Sequence, residues 1–335
     1  MKKALFITLA LGVAAMLGYL VAKDGESGMR ATVMPAADCG TTSEHDGMAW
    51  IEGGVYSKGA TGFYPDESPL REVQVDGFWI DRFEVTNARF AEFVAATGYV
   101  TVAERQPQPE DFPGIDPALL QAGSVVFTMP TAADGKLTQW WRFVPGAHWR
   151  QPAGPGSSIE GLEQHPVVHI THEDAQAFAE WHGHDLPTEA QWEYAARGGL
   201  EQAVYAWGDE FLVAGKQQAN TWQGMFPLLN EREDGYTGSA PVGCFPANGY
   251  GLHDMIGNVW EWVDDWYYPV YGTPGNGGHD PRQPGLPVKV IKGGSYLCAD
   301  NYCRRYRPAA RHAQEATLGA AHIGFRTVKN RGNSR

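Results

Sequence analysis

The sequence is short of cysteine, short of positive charge and without any repeat. Only four cysteines occur in 335 residues, which excludes the small scaffolds that disulfides hold together in place of a core. Lysine and arginine number 26 against 39 aspartates and glutamates, a formal charge of −13, and no basic run exceeds the stretch from Arg304 to Arg307. Nucleic acid is therefore excluded as a partner, because neutralising phosphates needs a basic face. No internal repeat and no low-complexity block follows residue 46, so repeat architectures are excluded too. Long helical periodicity is scarce.

What is present is a chain long enough to bury a large core. Its 41 glycines, 22 prolines and 12 tryptophans predict many turns packed around large aromatic plates. The acidic balance leaves carboxylates for hard cations. At the N-terminus Lys2 and Lys3 precede an uncharged run from Ala4 to Ala22, broken by Lys23 and Asp24. A positive patch before an apolar run reads as an export signal. The run is long for a signal peptide and just long enough to span a bilayer, and neither a small-x-small cleavage site nor a lipobox cysteine follows it. Residues 1–23 are expected to be a membrane anchor, with a cleaved signal peptide as the alternative. Residues 24–46 read as a flexible tether and residues 47–330 as one domain. The expected location is exported, periplasmic or extracytoplasmic, with residues 4–22 contacting the inner membrane. A monomer is expected.

Export places the cysteines where disulfides form, and four allow three pairings. Cys39 lies in the tether and is a poor structural partner. Cys244, before Phe245-Pro246 in an apolar turn, is expected to be a buried free thiol. Cys298 and Cys303 remain as a pair. On a regular helix or strand residues five apart do not face together, so a shared site needs a bent segment, which Gly293 and Gly294 permit. Two thiolates without further ligands suit Cu(I), whereas structural zinc wants four. His312 and His322 match no usual zinc spacing. A plain 298–303 disulfide stays open on this reading.

Patterning predicts strands at Met48–Ile51, Val73–Val75, Phe78–Val85, Trp140–Val144, Val167–Ile170, Val288–Ile291 and Gly324–Val328. It predicts three helices. One is capped by Thr86, carries Phe90, Phe93 and Val94 on one face and stops at Gly98. The second runs over Glu173–Trp181 behind a Thr171/Asp174 capping box and buries Ala175, Phe178 and Trp181. The third opens at Pro187-Thr188 with Gln191 and stops at Gly198-Gly199. Residues 104–137 show poor periodicity, and most of Tyr205–Trp262 reads as loop. The fold class is α+β, a single compact domain with little regular secondary structure.

Several segments match one family in order. They include Phe83-Glu84-Val85-Thr86-Asn87, His165-Pro166-Val167-Val168-His169, Leu186-Pro187-Thr188-Glu189-Ala190-Gln191-Trp192-Glu193, Ala219-Asn220-Thr221-Trp222, Gly257-Asn258-Val259-Trp260-Glu261-Trp262, Gly293-Gly294-Ser295-Tyr296-Leu297-Cys298, Tyr302-Cys303 and Gly324-Phe325-Arg326. The chain resembles the formylglycine-generating enzymes, or sulfatase-modifying factors, over roughly residues 48–328. The resemblance implies their C-type-lectin-like fold. It also implies copper- and O2-dependent oxidation of a cysteine in an extended sulfatase polypeptide, at Cys-x-Pro-x-Arg, to Cα-formylglycine. By resemblance Cys298 and Cys303 are the Cu(I) ligands, Ser295 and Tyr302 lie on the oxygen and substrate side, and Trp260 is an active-site plate. Structural Ca2+ is implied at Asn220, Thr221, Asp234 and Tyr236, and again at Asp254, Gly257, Val259 and Glu261, with Asp254 standing where the family usually has asparagine. Arg304, Arg305 and Arg307 are candidates for holding the substrate backbone, against the plainer reading of salt-bridged arginines.

The chain departs from the family in two places. Ala179, Ala196, Pro308 and Thr327 stand where animal members have disulfide cysteines. The run His312–Ile323 replaces a polar loop that lies close to the substrate groove in the family, which puts substrate choice in question. The competing reading is a non-oxidase member acting as an exported binding or scaffold domain. The related sulfoxide synthases need an added iron-binding helical domain, for which the chain has no room.

Overall fold

Strands begin where apolar and polar residues alternate. The structure is a computed structural model that describes residues 47–111, 116, 120–130, 140–270 and 277–331; the expected anchor, the tether and Cys39 lie outside the described residues. β1 (Met48–Ile51) buries every second residue and pairs antiparallel with β4 (Phe78–Asp81). Between them β2 (Gly54–Lys58) and β3 (Arg71–Val75) form a hairpin. β4 is shorter than the expected strand to Val85, because the chain turns at Arg82. There Val85 donates to the Phe325 carbonyl at 2.9 Å instead of joining a ladder.

Helix α1 (Asn87–Thr97) starts as its cap predicts, with the Thr86 hydroxyl accepting from Arg89 N at 3.2 Å, and ends at Gly98 in the left-handed region. Phe90, Phe93 and Val94 are buried. α2 (His172–Trp181) carries the expected Thr171/Asp174 capping box, and α3 (Glu189–Arg197) the Thr188/Gln191 box. α2 buries Ala175 and Phe178, but Trp181 is 40% exposed, which corrects the expectation. Its indole lies over the α2 C-terminus against His182.

β5 (Gly123–Phe127) pairs with β6 (Trp141–Pro145), so the aperiodic stretch does contain a strand. Its partner sits across a long excursion, where periodicity gives no sign of pairing. The expected strand at Val167–Ile170 is absent, because His169 has φ +63° and breaks the extended run. β7 (Trp260–Trp266), β8 (Val288–Lys292), β9 (Arg311–Glu315) and β10 (Ile323–Gly324) make the main sheet in the order β10-β7-β8-β9, with β10 parallel to β7. The expected strand Gly324–Val328 is split into β10 and β11 (Val328–Asn330). Arg326 and Thr327 leave the ladder between them, and β11 closes the first sheet beside β4. The run His312–Ile323 is likewise no simple loop, since its first third lies in β9.

Aromatic residues fill one core, with Phe90 edge-on to Trp149 and Phe178 edge-on to Phe325. A second core joins Trp192 of α3 to Ile80, Val290 and Val328. Each such side chain contributes about 1.5–3 kcal/mol when fully buried. Thr327, at one of the disulfide positions of the animal family, instead hydrogen-bonds Asp81 through Oγ1 at 2.6 Å and through its backbone N at 2.9 Å.

Buried His169 gives the fold a pH dependence. Its Nε2–H donates to the Pro152 carbonyl at 2.8 Å, and Nδ1 lies 2.8 Å from Ser124 Oγ, which also reaches the Gly319 carbonyl at 2.7 Å. Burial pushes its pKa down to about 4. In the unfolded chain the ring protonates near its usual value of about 6.5, so between pH 6.5 and 4 the unfolded state binds more protons. Stability therefore falls as the pH drops through that window, by about 3 kcal/mol from this group. In His169→Asn, which tolerates the left-handed backbone, the urea midpoint is expected to vary less between pH 7 and 4.5 than in the wild type. An unchanged slope would remove His169 from the account.

Candidate active site

β8 ends at Lys292, and the chain then turns through Gly293 and Gly294, at φ +91° and +79°. A Cβ on Gly294 would sit 2.9 Å from the Tyr306 Cα, so only glycine fits. Past the glycines the backbone coils. Cys298 N donates to the Ser295 carbonyl at 2.8 Å and Cys303 N to that of Ala299 at 2.9 Å. Trp222 N donates to the Cys298 carbonyl at 3.0 Å. This bent segment brings a pair five residues apart to an Sγ–Sγ distance of 2.8 Å. Both thiols are free, well beyond the ~2.05 Å of a disulfide.

Behind the pair the chain is pinned by arginines. Arg305 pairs with Asp66 at 3.1 Å and Arg307 with Glu67 at 2.5 Å, both buried in the short 3-10 turn Pro65–Glu67. Arg304 pairs with Asp300 at 2.8 Å on the surface. Salt-bridging is thus the arrangement for all three, and Arg305 and Arg307 serve to fix the loop.

The thiols differ. Cys298 is 2% exposed, whereas Cys303 is half-buried. The hydrogen bond from the Cys298 thiol holds the Cys303 pKa below its usual value, against the cost of burial, with Arg305 and Arg307 assisting. Burial first, and then the bond to Cys303, pushes Cys298 well up. Cys303 is therefore the more acidic thiol of the pair and Cys298 the less acidic. Iodoacetamide near neutral pH is expected to modify Cys303 first. Cys298→Ser, a poorer donor to sulfur, is expected to slow that reaction by roughly tenfold through a lower thiolate fraction. Peptide mapping by mass spectrometry reads both, and prior labelling of Cys298 would reverse the assignment.

Cys298, Cys303, Ser295, Tyr302 and Trp260 all line one open cavity of about 470 Å3. Ser295 accepts at Oγ from Leu297 N at 3.3 Å. Tyr302 is 47% exposed and stacks on Phe226 at 4.1 Å. Trp260, 3% exposed at the start of β7, stacks on His312 at 5.7 Å, and its backbone N donates to the His322 carbonyl at 2.9 Å. Tyr64, Trp141, Arg282 and Gln314 also line the cavity. None of them is placed in the site by sequence reasoning, although Trp141 belongs to a matched Trp140-Trp141 segment, because each arrives from a separate loop or strand.

The expected calcium residues fall in two buried places. In the first, Asp234 accepts from Thr221 N at 3.1 Å, from Gln223 Nε2 at 2.8 Å and from Tyr236 N at 2.9 Å. The same Gln223 amide meets the Thr221 carbonyl, so a carbonyl and a carboxylate oxygen converge on one point, as a hard cation needs. Asn220 donates through Nδ2 to the Gly238 carbonyl at 2.9 Å. In the second, Glu261 meets Arg326 through both oxygens, at 2.7 and 2.8 Å, and also receives Trp192 Nε1 at 2.8 Å. A cation there would share an already paired carboxylate. Asp254 accepts from Gly243 N at 2.6 Å, and Gly257 at φ +81° lets the chain pass against the Asn220 carbonyl. Val259 N donates to Glu84 at 3.4 Å. Burial first, and then Asp254 and Glu261, pushes Glu84 well up, and burial raises Asp254 to about 6. Three buried carboxylates thus face one guanidinium, Arg326.

Cys244 corrects an expectation. It is half-buried and disulfide-bonded. The apolar turn around Phe245 suggested a buried thiol, but Cys244 stands at the turn's edge, where a bridge can reach it.

With this geometry in place, the chain can be set beside known proteins. Residues 35–331 match the family described as the sulfatase-modifying factor enzyme 1-like domain. The chain is 50% identical over 294 residues to the formylglycine-generating enzyme of Mycobacterium tuberculosis, spanning 83% of this chain and 96% of that one. It is 47% identical over 290 residues to that of Thermomonospora curvata, 84% and 92% of the two chains. It is also 39% identical to the inactive C-alpha-formylglycine-generating enzyme 2 of Mus musculus, over 85% and 86%. Among solved structures, PvdO from Pseudomonas aeruginosa superposes with a TM-score of 0.55 at 24% identity, covering 86% of this chain and 95% of PvdO, which speaks for the fold. The thiol pair, the buried motif clamp and these likenesses agree: the chain belongs to the sulfatase-modifying factor enzyme family.

Proposed function

We propose that this protein converts a cysteine in a sulfatase-type polypeptide, within Cys-x-Pro-x-Arg, to Cα-formylglycine, as an O2-dependent oxidase of exported or surface-held location. The observation that carries the reading is the free pair Cys298–Cys303, 2.8 Å apart on the wall of an open cavity, in a chain so similar to proteins named formylglycine-generating enzymes.

The donor set fits Cu(I), since two soft sulfurs lie side by side with open space beside them for a substrate sulfur. Cys298 and Cys303 would hold the ion. When bound, copper supplies the reaction with dioxygen. The residues themselves do the rest. Cys303 presents the more acidic thiol to the cavity, and the bond with Cys298 favours its ionised form. Trp260 forms a buried part of the cavity wall, and Tyr302, stacked on Phe226, forms another part. Ser295 Oγ and the Tyr302 hydroxyl offer hydrogen bonds to polar atoms beside the substrate Cβ. The substrate cysteine would become the aldehyde by losing a Cβ–H and two electrons to dioxygen, with its sulfur leaving as sulfide and water supplying the carbonyl oxygen.

The test is incubation of copper-loaded protein with a Cys-x-Pro-x-Arg peptide under oxygen, followed by mass spectrometry for the exchange of sulfur for oxygen together with the loss of two hydrogens. Product supports the reading. Its absence would favour the alternative, a non-oxidase binding or scaffold domain; the mouse relative is itself named inactive.

Structural calcium belongs to the same reading. The convergent oxygens of Thr221 and Asp234, and the excess carboxylate at Glu84, Asp254 and Glu261, support a divalent cation at each place. A hundredfold excess of Ca2+ over Kd is expected to stabilise the fold by about 2.7 kcal/mol per site, with the gain reduced in Asp234→Ala. A melting temperature indifferent to Ca2+ and to chelator would end the calcium proposal.

A further inference from the structure

The run His312–Ile323, where the chain departs from its family's pattern, places two imidazoles on the wall of the thiol cavity. His312 is stacked on Trp260 at 5.7 Å, and His322 lies tilted against Trp141 at 4.6 Å. On both rings Nδ1 is buried without a hydrogen-bond partner. A neutral imidazole carries one N–H and one lone pair, and a buried lone pair left unmet is better tolerated than a buried N–H left unmet. Each Nδ1 is therefore the lone-pair nitrogen and each Nε2 carries the proton. Nε2 is also the nitrogen left to face the cavity. Among the described residues no carboxylate lines this cavity, and its two arginines are committed, Arg305 to Asp66 and Arg282 to Asp280 at 3.0 Å.

We infer that His312 and His322 form a pair of neutral donors that binds main-chain carbonyls of the substrate peptide flanking the reacting cysteine. The inference rests on the peptide-oxidising reading above and specifies how this chain holds its substrate. An extended peptide brings one acceptor per residue past the wall, and two N–H groups fixed by indoles lose little freedom on binding it. Main-chain carbonyls match the site better than a charged group, since neither donor brings a counter-charge. Burial keeps both rings uncharged, with pKa values pushed down to about 4 and about 3. His312 starts from β9 and His322 precedes β10, so strand backbone on both sides sets their positions.

The experiment uses copper-free protein and a Ser-x-Pro-x-Arg peptide, which cannot react at sulfur, with Kd measured by calorimetry. His312→Phe and His322→Phe keep a ring against each indole and remove the donor. Each is expected to weaken binding about tenfold, the worth of one hydrogen bond. His312→Gln and His322→Gln restore an N–H and are expected to bind within about threefold of wild type. In the wild-type protein the 15N resonances of both Nε2 atoms are expected to shift on peptide addition, which needs no variant to fold. Phe variants within twofold of wild type, or Nε2 resonances unmoved at saturation, would overturn the donor pair while leaving the oxidase reading intact. A wild-type protein that binds no peptide would instead overturn the reading on which the pair rests.

Discussion

Cys298→Ser and Cys303→Ser are each expected to lower the conversion of a Cys-x-Pro-x-Arg peptide by on the order of a thousandfold or more, with folding intact. Residues that act as one unit lose nearly everything when either member is removed. The pair here is such a unit, because each sulfur needs the other: the bond with Cys298 lowers the Cys303 pKa, and an ion held by both sulfurs, as proposed, would not survive on one. The fold should tolerate the change. Backbone bonds of Ser295 to Cys298 and of Ala299 to Cys303 hold the loop without the sulfurs, and the Arg305–Asp66 and Arg307–Glu67 pairs hold its end. A hydroxyl is also smaller than a thiol. Melting temperatures within a few degrees of wild type, together with lost product, would support the assignment. Product at wild-type rates in either variant would refute it.

Arg326→Ala is expected to be the most damaging single substitution for stability. The guanidinium is fully buried and meets Glu261 at 2.7 and 2.8 Å, the His253 carbonyl at 2.9 Å and the Asp81 carbonyl at 3.1 Å. Its loss leaves Glu261, Glu84 and Asp254 without their cation and strands two carbonyls. Breaking one partner of a buried pair costs about 3–5 kcal/mol, which corresponds to roughly 10 °C in melting temperature for a domain of this size. Trp192→Phe, which removes the indole N–H bond to Glu261 and part of a fully buried ring, is expected to cost less, about 2 kcal/mol. Thermal denaturation ranks the two. Equal losses would mean that the carboxylate cluster finds another neutralising group.

Much of this was legible in the sequence for physical reasons. Helix caps are local, and Thr86, Thr171 and Thr188 each announced a start that the structure honours. The bend that joins Cys298 to Cys303 was implied by the two preceding glycines. What was hidden is non-local. Asn258 looks like a turn former, yet its side chain donates to Glu84 at 2.9 Å, 174 residues away, and accepts from Ala240 N at 2.8 Å. Likewise Glu189 and Glu193 appear in the sequence only as members of a motif. They are buried among Lys58, Lys292, Arg197 and Arg311, and Arg311, Lys58 and Lys292 hold Glu189 down at about 2 against its burial. The missed strands β5 and β9 depend on partners across long loops, and periodicity within a short window is blind to partners. Cys244 was misjudged in the same way, from its neighbours in sequence rather than in space.

The anchoring of the thiol loop has a consequence for how the protein comes to be made. Asp66 and Glu67 are held by Arg305 and Arg307, separated from them by 239 and 240 residues. During synthesis the turn that receives the loop emerges early and the arginines that complete it emerge late. Cys303 is therefore the last reactive sulfur to enter the chain and is drawn at once beside Cys298. Maturation of the chemistry coincides with the closing of the chain upon its own beginning.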